Sequence, residues 1–155
     1  MRLSGIVTEE RVGLVPPSRS LDKRQSLLEL ARLLSTAVEA PEADLLAILE
    51  EREALQSTGI GDGVAVPHGT LERATGQVGA LLVCPGGVDF DSIDDKPAKI
   101  LFGVVGPKQA VEHIKVLARV SRILRNGALR DRLLAAADPR AIYSLLEGED
   151  DAIGG

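Results

Sequence analysis

Apolar residues recur every three or four positions in some stretches of this chain and bunch into short continuous runs in others, which divides it into helices and strands. Leu27, Leu30, Ala31 and Leu34 fall on one helical face and predict a first amphipathic helix reaching about residue 37, with Ser20 as its cap. Pro41, suited to a first helical position, precedes Leu45, Leu46, Ile48 and Leu49, and this second helix is expected to reach about Gln56. Residues 78–84 and 100–105 are apolar runs too short for helices, closed by Pro85-Gly86-Gly87 and by Gly106-Pro107, and read as strands. A short strand is expected at 12–15. Val64-Ala65-Val66 favours extended backbone, while Pro67 disfavours helix at Val66 and removes a backbone donor, so pairing should stop just before His68. From Pro107 to about Leu124, a stripe of Ala110, Ile114, Leu117, Val120, Ser121 and Leu124 marks a long helix carrying His113 on its buried side. Shorter helices are expected at 128–137 and 139–147, with 1–11 and 149–155 loosely ordered.

Strands interspersed with helices imply an α/β or α+β architecture in which helices cover a small sheet. A chain of 155 residues fits a single domain, 1–155, able to bury roughly two thirds of its unfolded surface. Aromatics are only 2% of the residues, so the core must be aliphatic and the stacking platforms used by single-stranded nucleic acid are missing. A net charge of -5 lacks the basic footprint of a duplex binder, and nucleic acid is excluded as an expected ligand. Cys84 is the one cysteine and forms no internal disulfide; no signal-peptide pattern and no apolar run of the roughly 20 residues needed to span a bilayer is present, so a cytoplasmic protein is expected.

Chemistry concentrates around His68, delivered by the 64–66 run and preceded by Ser57-Thr58-Gly59-Ile60-Gly61-Asp62-Gly63. Two hydroxyls and three glycines with bare N–H groups suit an anion, and phosphate chemistry on His68 is the first expectation. The glycine run is not a dinucleotide fingerprint, because it follows a helix and opens a strand where that motif does the reverse; it is expected to form a turn that also lines the site. Cys84 is not a phosphatase nucleophile, since the arginine such a loop requires falls on Phe90, and it reads as a buried structural thiol. His113, taken by itself, is more readily a core histidine on an apolar face. Two histidines with Cys84 as a distant third donor make zinc a minor alternative, and no metal is expected.

Arg52-Glu53, the run from Ser57 through Gly69, Phe90-Asp91-Ser92-Ile93-Asp94, Pro97, Ile100-Leu101-Phe102, Pro107 and His113-Ile114 with Leu117 together resemble the enzyme IIA domains of the bacterial phosphoenolpyruvate-dependent phosphotransferase system, in their fructose/mannitol and nitrogen-regulatory class. The resemblance spans nearly the whole chain. It implies a small mixed sheet of about five strands with helices on both faces. It also implies a transferase component that works through a phosphohistidine at His68, attacking through Nε2 with Nδ1 held by a backbone carbonyl. His113 would lie beside that group and donate to its oxygens, while Arg52, Ser57, Thr58, Gly59, Gly61 and Gly63 would contact phosphate or partner. The implied donor is the phosphohistidine form of HPr or its nitrogen-branch counterpart, with no metal or nucleotide cofactor. The onward partner is either an enzyme IIB, on the way to an imported sugar, or a regulated target protein. Gly69 and the wording of 90–107 resemble the regulatory branch more; a binding module that has lost transfer is the third alternative.

Overall fold

The computed structural model describes residues 2–108 and 110–154. Its strands are β1 (Val12–Leu14), β2 (Gly59–Gly61), β3 (Val64–Ala65), β4 (His68–Thr70), β5 (Val78–Val88) and β6 (Ala98–Gly106). They form a mixed sheet in the order β1-β5-β6-β3-β2, with β4 continuing the line of β3 along β6. Both segments run parallel to β6, pairing Val64 with Ile100 and His68 with Val104. The stop expected at Pro67 is therefore a gap. Val66 turns its N–H to the Thr58 carbonyl at 3.0 Å, and the Pro67 carbonyl accepts from the Val104 N–H at 3.0 Å, which re-engages the ladder at His68. The expected sheet of about five strands thus appears as six segments in five positions, and the α/β class is as expected.

β5 and β6 pair antiparallel in the centre and alternate cleanly between two cores. Leu81, Val83, Ile100, Phe102 and Val104 face α3 (Ala110–Leu124), α4 (Gly127–Ala135) and α5 (Pro139–Ile153); Ala80, Leu82, Cys84, Leu101 and Val105 face α1 (Lys23–Leu34) and α2 (Glu42–Leu55). Helices on both faces explain why β6 reads as an unbroken apolar run rather than an alternating one. β5 does not end at Cys84 as expected. It passes through Pro85-Gly86-Gly87 as an irregularity, with Gly87 at φ 81°, and resumes its pairing at Val88 with Ala98.

The cap of α1 is Asp22, not Ser20: its carboxylate accepts from the Gln25 N–H at 2.7 Å while the Gln25 side chain accepts from the Asp22 N–H at 2.9 Å. A reciprocal box satisfies two otherwise orphaned donors, which a serine two residues earlier cannot reach. In α3 the buried stripe is Val116, Val120, Ile123 and Leu124, whereas Ile114 is 64% exposed. The helix is thus rotated from the expected stripe, and Pro107 and Lys108, expected in its first turn, precede it, while Gln109 lies outside the described residues.

The chain ends are better packed than expected. Leu3–Gly5 and Glu9–Arg11 form short 3-10 turns, Leu3 and Val7 are buried, and α5 continues to Ile153, while Met1 and Gly155 lie outside the described residues. The fastening is Asp150, buried at 1% exposure, whose carboxylate accepts from the Leu3 N–H at 2.8 Å and from Arg119 Nε of α3 at 2.7 Å. No helix among the described residues is long and apolar enough to cross a membrane.

Candidate functional site

His68 stands where the sheet line resumes after Pro67, half-buried, and its Nδ1 lies 2.8 Å from the Val66 carbonyl oxygen. A carbonyl only accepts, so Nδ1 carries the proton and Nε2 presents a lone pair. Burial is the largest influence on this ring and lowers its pKa below the ordinary 6.5; the Val66 bond pushes it up, Arg52 pushes it down and Glu53 pushes it up. The outcome is a neutral imidazole at neutral pH, which is the form that can act as a nucleophile.

His113 faces it across the site, with ring centroids 5.3 Å apart and planes at 53°. This ring is half-buried, and its Nδ1 lies 2.8 Å from Gln77 Oε1. Its position on α3 follows from the spacing to Val116 and Val120, three and seven residues on, which turns the same face toward the sheet. Burial, then the neighbouring His68, lowers its pKa also.

Arg52 comes from the last turn of α2, where its guanidinium donates to the Gln56 carbonyl at 2.9 Å and lies near enough to His68 to act on its charge. Gly69 sets that approach. A Cβ at Gly69 would lie 2.3 Å from Ile48 Cγ2 and 3.3 Å from its carbonyl oxygen, and Ile48 is one turn before Arg52, so the missing side chain lets α2 close on β4.

The remaining expected contacts are placed differently. Ser57 donates its hydroxyl to the Phe90 carbonyl at 2.7 Å, and Thr58, 5% exposed, donates its hydroxyl to Glu53. Both protons are committed inside the protein and are not available to a phosphoryl oxygen. Gly59 is a point of close approach, since a Cβ there would lie 2.9 Å from Ser92 Cα. Gly61 and Gly63, at φ 93° and 78°, form the β2–β3 turn, where the Gly63 carbonyl accepts from Lys99 and Ile100. That turn stands four residues of β6 from the Val104 partner of His68, about 13 Å at strand rise, so the turn is formed but does not line the site. Cys84 neighbours Val83, which pairs with the same Ile100, and burial raises its thiol pKa to about 12. It is an inert buried thiol far from both imidazoles. Among the described residues no cluster of three or more His, Cys, Asp or Glu side chains is placed to hold a metal ion.

Sequence reasoning named Glu53 in the resemblance without giving it a task, and passed over Gln77. Glu53 is buried, takes the Thr58 N–H at 3.0 Å as well as its hydroxyl, and pairs with Lys23 Nζ at 2.9 Å, while the Thr58 carbonyl holds Val66. This braces the backbone whose next link is the His68 bond. Its spacing four residues after Leu49 was a readable sign of burial. Gln77, whose Oε1 meets His113 Nδ1 at 2.8 Å, ends a polar stretch 36 residues away in sequence and gave no sign.

Lowered histidine pKa values have a consequence for stability. The unfolded chain binds protons near 6.5 that the folded chain refuses, so these rings contribute stability fully above that pH and lose it as pH falls toward their folded values. Because the chain has only two histidines, urea unfolding midpoints should fall between pH 7.5 and 5.5 in the wild type, and the fall should shrink in a His68→Gln, His113→Gln double variant. An equal fall in both proteins would remove the assignment.

The family described as phosphoenolpyruvate-dependent sugar phosphotransferase system, EIIA 2, matches residues 6–149, and the chain belongs to it. A nitrogen regulatory protein of Bradyrhizobium diazoefficiens is 33% identical over 147 residues, covering 94% of this chain and 95% of that protein. A fructose-specific EIIA component of Haloferax volcanii is 34% identical over 132 residues, 84% of each chain. Nitrogen regulatory protein IIA-Ntr from Neisseria meningitidis superposes with a TM-score of 0.84 at 27% identity, over 93% of this chain and 98% of that one.

Proposed function

We propose that this member of the family is a regulatory phosphocarrier whose His68 accepts a phosphoryl group through Nε2 from the phosphohistidine of an HPr-type carrier. The observation that carries the reading is the Nδ1 bond of His68 to the Val66 carbonyl, which leaves Nε2 as the one free nucleophilic nitrogen of that ring. Phosphoryl transfer asks the protein for an aligned nucleophile and for groups that balance spreading charge. Arg52 supplies a permanent positive charge beside the ring, and His113 supplies a second imidazole. The step forms the His68 Nε2–P bond as the donor's N–P bond breaks, and the donor ring, protonated on its other nitrogen, leaves as neutral imidazole.

The regulatory destination is supported by the relatives named nitrogen regulatory protein that align along nearly the full chain. A phosphoryl group adds roughly one and a half to two negative charges to the surface at His68, enough to change a docked partner's affinity without refolding either protein. The test follows the group after phosphoenolpyruvate, enzyme I and an HPr-type carrier have loaded it. We expect slow transfer to a fructose-class enzyme IIB and target proteins that distinguish the two phosphorylation states, with His68→Ala locked in one of them. Rapid transfer to enzyme IIB together with partners indifferent to phosphorylation would make the chain a sugar-uptake component. Failure to load would overturn the phosphocarrier reading.

A further inference from the structure

Gln77 meets two groups of opposite demand. Its Nε2 lies 3.1 Å from the Pro107 carbonyl oxygen and its Oε1 lies 2.8 Å from His113 Nδ1. A carbonyl oxygen accepts only, so the amide nitrogen must face Pro107 and the amide oxygen must face the imidazole; the reverse orientation would set two oxygens against each other. An amide oxygen accepts only, so Nδ1 of His113 carries the proton. Room for this arrangement comes from Gly106: a Cβ there would stand 2.5 Å from Gln77 Cδ and Nε2 and 2.6 Å from Oε1, which any side chain would forbid. Neutral His113 therefore presents an unprotonated Nε2, an acceptor, and a neighbouring phosphoryl group also presents only acceptors.

We propose that Gln77 is a positioning residue which fixes His113 as the Nδ1–H tautomer, so that His113 takes up a solvent proton on Nε2 when His68 is phosphorylated and releases it when the group leaves. This rests on the phosphocarrier reading. Without that proton, lone pair faces lone pair; with it, Nε2–H becomes a charge-assisted donor to a phosphoryl oxygen, roughly twice as strong as a neutral one. The proton adds to His113 alone, while His68 keeps its own on Nδ1, bound to Val66. Among the described residues, His68 on β4 is the titratable group that bears on it, Arg52 and Glu53 of α2 act on His68, and Glu112 and Lys115 of α3 lie 4.0 Å from each other. The coupling makes phosphoryl acceptance favourable toward lower pH, within the range where His68 stays neutral.

Nitrogen-15 correlation spectra of the imidazoles read the tautomer and charge of each ring. Unphosphorylated protein at pH 7.5 should show His113 neutral with the proton on Nδ1; phosphorylated protein should show it largely doubly protonated at the same pH, the new anion raising its lowered pKa by about two to three units. In weakly buffered solution, loading should take up about one proton per phosphoryl group above the balance of the same reaction with His113→Gln. Gln77→Leu should lose tautomer preference and most of that uptake, and Gln77→Glu should hold His113 charged beforehand and abolish the uptake. A neutral His113 with its proton on Nε2 in either state overturns the proposal, as does unchanged proton uptake in Gln77→Leu. The tautomer in the unphosphorylated protein tests Gln77 even if His68 proves not to be the acceptor, so the two failures are distinguishable.

Discussion

Replacing His68 by alanine is expected to abolish phosphoryl acceptance altogether, a loss of at least about a thousandfold in the rate of labelling from phosphoenolpyruvate through enzyme I and an HPr-type carrier. The expectation follows from chemistry rather than position alone. Only two imidazoles are present in the chain, and Gln77 holds His113 on a different element with no second imidazole left to assist it. The chain should remain folded, since His68 is half-buried and its bond to Val66 is replaceable by water. Circular dichroism matching wild type, combined with absent label, is the expected pair of results; label at the wild-type rate would place the nucleophile elsewhere.

The largest effect on stability is expected at Asp150. Its carboxylate satisfies the Leu3 N–H and Arg119 Nε, and the Arg119 Nη2 also donates to the carbonyls of Asp150 and Gly154 at 2.9 and 2.6 Å. Arg119 is 11% exposed at its side chain, so Asp150→Ala leaves a buried cation without its counter-ion and a buried backbone donor without an acceptor. Breaking one side of a buried pair in this way costs about 3–5 kcal/mol. Asp150→Leu combined with Arg119→Met removes both charges and should restore much of the loss, because a well-filled apolar replacement avoids the desolvation of either ion. Urea unfolding at pH 7.5 reads both. A loss below about 1 kcal/mol in Asp150→Ala would mean that water reaches the pair and screens it. His113 shares α3 with Arg119, so any loosening of this fastening should also slow phosphoryl transfer.

Much of this was legible in the sequence, for reasons that differ by residue. His68 could be found because a β-branched run, a proline and a histidine lie next to each other, and local backbone chemistry alone specifies the strand, its interruption and the ring beyond it. His113 could be placed on a helix but not given a task, since its neighbour is 45 positions away along the chain. α3 carries apolar residues on more than one face, with Val111 and Ile114 both 64% exposed, and which face turns inward is decided by the sheet rather than by the helix. That is why Ile114 was misplaced. The glycines failed for a related reason: nearness in sequence to His68 suggested nearness in space, whereas the β2–β3 hairpin doubles back and sends Gly61 and Gly63 toward the opposite end of β6. Thr58 was read as a phosphate contact from its place in the run leading to His68 and from the family resemblance. Its proton is taken by Glu53, five residues earlier, where the chain turns back on the last turn of α2.

Nε2 of His68 is the atom on which phosphoryl acceptance depends. The wild-type protein, loaded from phosphoenolpyruvate and kept at alkaline pH, should carry a single acid-labile phosphoryl group on His68, and nitrogen–phosphorus coupling should assign it to Nε2. Phosphate on Nδ1 of His68, on His113, or on a hydroxyl residue would contradict it.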